Sequence, residues 1–84
     1  MNSVKEYRRV STSVYAIQWN GSNLGAVEAA VKGDVRRVTD AVLEVRTVHG
    51  WVTVDIGVWL CNGGLDWYPV ANTEFHKLYE AVGP

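Results

Sequence analysis

What the chain lacks narrows its options first. Its 84 residues hold one cysteine, so an internal disulfide is excluded. Cys61, His49 and His76 are the only soft metal ligands, and no C-x-x-C or H-x-x-x-H spacing joins them. No metal site is therefore expected, and no cofactor. No apolar run approaches the roughly 18 residues of a membrane span. The start, MNSVKEYRRV, has no apolar stretch behind its charges, so a signal peptide is not expected either. Charge of one sign is also missing in excess: eight Lys and Arg stand against nine Asp and Glu. Generic nucleic-acid binding usually needs a clear basic surplus to neutralise phosphates, which this chain does not have.

Catalytic patterns are missing as well. Gly63 and Gly64 are followed by no Gly-Lys-Ser/Thr and sit in no strand–loop–helix arrangement, so they form no phosphate loop. The carboxylates Glu44, Asp55, Asp66 and Glu80 are scattered, and nothing in their spacing pairs them for acid–base work. Cys61 would need a nearby histidine and an orienting group to act as a nucleophile, whereas a buried structural cysteine is the commoner use of such a residue. No enzyme is expected.

What is present suits a small folded domain spanning residues 1–84. Hydrophobic residues make up 48% and charged residues 20%, a balance that argues against disorder. Four tryptophans and four tyrosines supply large rings, which bury the most apolar area per residue in a chain with little core to spare. Small domains also complete their cores by association, so a homodimer or higher homo-oligomer is expected.

Residues 1–12 read as a polar leader. TSVYAIQW, residues 12–19, alternates as a strand with Tyr15, Ile17 and Trp19 on one face, and stops at the turn dipeptide Asn20-Gly21. Ser22 is placed to cap a helix carrying Leu24, Val27, Ala30 and Val31, with Gly33 ending it. Gly25 weakens that helix by about 1 kcal/mol and suggests close packing against a sheet. A short strand is read at 35–38. AVLEVRTV and WVTVDI then form a hairpin about His49-Gly50, with Leu43, Val45, Val52, Val54 and Ile56 facing the core and Arg46, Trp51 and Thr53 facing out. VWLC and LDWYPV form a second hairpin, and Pro69 places its last strand at an edge. Asn72 or Thr73 caps a closing helix with Phe75, Leu78, Tyr79 and Val82 on one stripe. The expected fold is α+β: one small, curved antiparallel sheet of about five to six strands with two helices, in the order β-α-β-β-β-β-α.

Two stretches, YRRVSTSVYAIQWNGSN and VTVDIGVWLCNGGLDWYPVANTEFHKLYEAV, carry a resemblance. Tyr7, Arg8, Gln18, Trp19, Gly21, Gly57, Trp59, Gly64, Asp66, Tyr68, Pro69, Phe75, Tyr79 and Glu80 resemble, in order and spacing, a widespread family of small phage and prophage proteins. The family's usual Pro-Gly-Asp-Trp is Ile56-Gly57-Val58-Trp59 here, so any role of that aspartate is lost, and Trp67 is extra. The resemblance implies a viral setting in the host cytoplasm and action on host physiology or host defence. It supplies hardly any chemistry.

Candidate residues follow from charge and register. Arg36 and Arg37 form the one dense cationic pair outside the leader; Arg8 and Arg9 form the other, and paired strands would bring the two together. Guanidinium forks match phosphate oxygens, and Trp67 or Tyr68 would stack on a base, which makes these six residues the ligand candidates. Trp51 on the outer face with Arg46, joined by Trp59, is the candidate interface. The leading expectation is a non-enzymatic accessory protein that sequesters a small nucleotide messenger between subunits. One alternative is masking of a host protein through the aromatic patch. A third is a virion component such as a capsid decoration protein.

Overall fold

The structure, a computed structural model, describes residues 4–9, 12–64 and 66–81. Among the described residues there are eight strands and two helices: β1 (Lys5–Arg9), β2 (Thr12–Gln18), α1 (Leu24–Val31), β3 (Val35–Arg37), β4 (Leu43–Thr47), β5 (Gly50–Val54), β6 (Trp59–Asn62), β7 (Trp67–Val70), α2 (Asn72–Leu78) and β8 (Glu80–Ala81). The α+β class holds. The single curved sheet does not: the strands divide into a five-stranded sheet, β7-β6-β2-β1-β8, and a three-stranded sheet, β3-β4-β5. The expected polar leader is also corrected, since β1 pairs antiparallel with β2 and β8.

Strand β2 shows why two sheets arise. Ile17 and Trp19 point from it into a cluster with Leu60 of β6, Val27 and Val31 of α1, and Val35, Leu43, Val45 and Val54 of the small sheet. Val14 and Ala16 point the other way, into a second cluster with Trp59, Cys61, Phe75 and Tyr79. The large sheet is therefore covered on both faces, by α1 and the small sheet on one and by α2 on the other. Burying both faces gives the small chain two thin cores instead of one. Of the face expected to carry Tyr15, Ile17 and Trp19, Tyr15 alone is exposed.

The turn after β2 is built by side-chain amides. Asn23, buried, donates from Nδ2 to the Gln18 carbonyl (2.8 Å), and its Oδ1 accepts from the Asn20 backbone N–H (3.0 Å). Asn23, not Ser22, is the N-cap of α1, and its amide serves the turn instead of the helix end. The helix ends on Lys32, itself left-handed at φ 57°, and Gly33 follows it. A Cβ on Gly25 would meet nothing within 4 Å, so close packing is not the reason for that glycine.

The β4–β5 hairpin keeps the expected faces with a shifted register. Val45 lies opposite Val52 and Thr47 opposite Gly50, so the turn is Val48-His49 and Gly50 opens the return strand at φ 96°. Thr47 Oγ1 accepts from the His49 N–H and donates to the Gly50 carbonyl, both at 3.0 Å, which supports a turn without turn-forming residues. Glu44 then faces Thr53. Ile56, expected in the core, is 54% exposed, because the chain has already left the strand at Asp55.

Candidate functional site

The second hairpin sets the site. Strand β7 pairs with β6 (Trp59 opposite Val70, Asn62 opposite Trp67) and lies at the edge of the large sheet, as Pro69 required. Alternation sends Trp67 and Tyr68 to opposite faces. Trp67 is half-buried against the first core cluster, and the Tyr68 hydroxyl shares a 3.1 Å hydrogen bond with that of Tyr79.

Between this hairpin and the tip of β4–β5 runs a groove of about 480 Å³, lined by Thr47, Val48, His49, Val52, Gly63, Asp66, Trp67, Tyr68 and Pro69. Among the described residues its lining is predominantly apolar and includes no lysine or arginine. Val48, at the hairpin tip, is 72% exposed, the most exposed large hydrophobic side chain among the described residues. On the far side of Trp67 lies a second cavity of about 510 Å³, lined by Tyr15, Lys32, Asp34, Arg46 and Asn62 among others. Asp66 and Trp67 border both.

The cationic candidates fall elsewhere. Arg36 Nε donates to Glu44 Oε1 at 2.8 Å, and the guanidinium carbon stands 4.1 Å from the centre of the Trp51 ring. Arg36 lies opposite Glu44 on β4, so this charge is already balanced within the outer face of the small sheet. Arg37, the next residue, points to the other side of the strand and stands 3.5 Å from Asp40. The two arginines therefore do not form one fork, and neither lines the groove that holds Trp67 and Tyr68. Strands β1 and β3 belong to different sheets, so strand pairing does not join Arg8 and Arg9 to them. The side chains of Arg8 and Arg9 lie outside the described residues.

Of the interface candidates, Trp51 and Arg46 do face outward, with Trp51 37% exposed. Trp59 is corrected to a core residue. Its ring stacks on Phe75 (centroids 3.9 Å apart, 2° between planes), and its Nε1–H donates to Asn72 Oδ1 at 2.8 Å. Asn72 Oδ1 also accepts from Gln18 Nε2 at 3.3 Å, so the first residue of α2 ties that helix to two strands rather than capping it. Val82, expected on the helix stripe, lies outside the described residues.

Cys61 is fully buried, and burial pushes its thiol from 9.0 up to about 12. At neutral pH the sulfur is a protonated, apolar packing group. Among the described residues no three His, Cys, Asp or Glu side chains gather as metal ligands would, and no helix is long and apolar enough to cross a membrane.

Of the groove's lining, Trp67 and Tyr68 are among the ligand candidates read from the sequence, and Val48, Val52 and Pro69 are not. The signal for Val48 was its place beside His49-Gly50, where a one-step change of turn moves it from strand to tip. Compared with protein-family models, curated proteins and solved structures, the chain matches none of them.

Proposed function

We propose that the chain is a non-enzymatic phage accessory protein that binds a host protein through the apolar groove between its two hairpins. The observation that carries this reading is the groove's lining: an exposed Val48 across from Trp67, Tyr68 and Pro69, with no lysine or arginine among the described lining residues. A nucleotide messenger brings phosphates, and its site would need a cation beside the stacking ring. Rings and a valine without a cation suit apolar side chains of a protein segment, the pattern of an interface core. Covering Val48 alone would contribute roughly 1–2 kcal/mol. The viral setting rests on the sequence resemblance to small phage and prophage proteins.

A second reading, sequestration of a nucleotide-type ligand, draws on the other cavity, where Tyr15 and Trp67 stand with Lys32 and Arg46. Asp34 and Asp66 line the same space, so among the described lining residues two positive charges meet two negative ones. Asp34 also lies 3.9 Å from the Arg46 guanidinium. The near-neutral lining makes phosphate capture the weaker option.

Affinity capture from host extract, run beside calorimetry against cyclic dinucleotides, separates the two. The groove reading expects a host protein retained by the wild type and by Arg46→Ala, and lost with Val48→Asp. A cyclic dinucleotide bound by the wild type and by Val48→Asp but not by Arg46→Ala would overturn it.

A further inference from the structure

We infer that the chain pairs with a second copy of itself through the free edge of β5, merging two three-stranded sheets into one. Among the described residues the two sheets present four edges, β7, β8, β3 and β5. Exposed edges invite pairing with other chains, and folded proteins blunt them with proline, charge or brevity. Three of these edges are blunted in that way. Strand β7 carries Pro69, β8 is two residues long, and β3 is three residues long with Arg36 and Arg37. Strand β5 has five residues, Gly-Trp-Val-Thr-Val, with no proline and no charge. It is the unguarded edge.

The hairpin register fixes which groups that edge offers. Thr47 and Gly50 flank a two-residue turn and form a hydrogen-bonded pair, and such pairs alternate along an antiparallel ladder. Val52 and Val54 therefore spend their backbone groups on β4, while the N–H and C=O of Trp51 and Thr53 point to the open side. An antiparallel copy centred on Val52 sets Trp51 opposite Thr53 of the second copy, and Thr53 opposite its Trp51. Both pairs then bring outward-facing groups together and form about four hydrogen bonds across the two-fold axis.

Side chains agree with this register on both faces. Val52 meets Val52 of the second copy. The two Trp51 rings, each under its own Arg36, become diagonal neighbours, within reach of aromatic side chains. Beyond the strand, His49 comes opposite Asp55 of the second copy, a complementary pair from two exposed residues. A register slip of one residue, which moves the axis by half a residue, would oppose outward groups to inward ones and lose the hydrogen bonds. The inference is independent of what fills the groove, although Val52 lines it, so the grooves of the two copies come to lie side by side.

Cross-linking and sedimentation test the inference together. Facing residues of a non-hydrogen-bonded antiparallel pair have Cα atoms about 4.5 Å apart, within the roughly 4.4–6.8 Å that a disulfide spans. Val52→Cys should thus oxidise to a covalent dimer. Thr53→Cys, whose counterpart lies about 7–8 Å away on the diagonal, should not. Cys61 is buried and stays out of the reaction. In sedimentation, the wild type should dimerise at tens of micromolar, and Thr53→Pro, which removes only an outward N–H, should weaken association at least about tenfold. A wild type that stays monomeric up to millimolar concentration overturns the inference, as does equal linking from positions 52 and 53. Should Thr53→Pro fail to fold, the two cysteine variants still decide the question.

Discussion

Asn72 holds α2 against the large sheet with its side chain, and replacing it separates that role from any role at the helix end. Its Oδ1 receives the Trp59 indole N–H at 2.8 Å in a part-buried setting and the Gln18 amide at 3.3 Å in an exposed one. Removing the acceptor with Asn72→Ala should cost about 1–2 kcal/mol for the indole bond and a few tenths for the other. For a domain of this size, about 1.5 kcal/mol lowers Tm by roughly 6–12 °C. Asn72→Asp keeps an oxygen at the same place and adds negative charge to the first turn of α2, where the helix dipole favours it. At an exposed helix end that gain is small, so the variant should lie within about 0.5 kcal/mol of the wild type. Urea titration followed by tryptophan fluorescence measures both. An Asn72→Ala protein as stable as the wild type, or an Asn72→Asp protein as damaged as Asn72→Ala, would refute the reasoning.

Cys61 should resist iodoacetamide in the native protein at neutral pH and react on unfolding, because burial holds its thiol protonated until about pH 12. The unfolded chain releases that proton earlier, so this contribution to stability is complete below pH 9 and is lost as pH rises towards 12. Cys61→Ala should show a smaller loss of stability over that range in parallel urea titrations. Two glycine replacements should move stability in opposite directions. Gly25→Ala adds a methyl into open space inside a helix and should stabilise by about 0.5–1 kcal/mol. Gly50→Ala also meets open space but must hold φ near 96°, and should destabilise by about 1 kcal/mol. Thermal melts followed by circular dichroism check both.

Period-2 patterning made the strands of residues 12–18 and 43–54 legible, and with them the outward Trp51 and Arg46. It does not encode which strands share a sheet. Strand β2 pairs with β6 across some forty residues of chain, and only that long-range pairing shows that Val14 and Ala16 lie under α2. The β4–β5 register shifted for a local reason. Gly50 reads as a turn residue, yet Thr47 supplies the turn's hydrogen bonds through its hydroxyl and frees Gly50 to begin the strand. The expected and observed registers preserve the same faces, so Leu43, Val45 and Val54 lie in the core as expected, while Ile56 falls beyond the strand and Val48 moves to the tip. Half of the groove was legible for that reason. Trp67 beside Tyr68 announces a ring that leaves the core, whereas the tip valine opposite them depends on two hairpins from different sheets coming together.

The groove is the centre of the functional account, and a photo-cross-linking residue at position 48 tests it most directly in host extract. A single covalent adduct with a host protein is expected from position 48, abolished by Trp67→Ala and absent when the same residue is placed at Glu28 on the exposed side of α1. Adducts of equal yield from positions 48 and 28, or none from position 48, would contradict it.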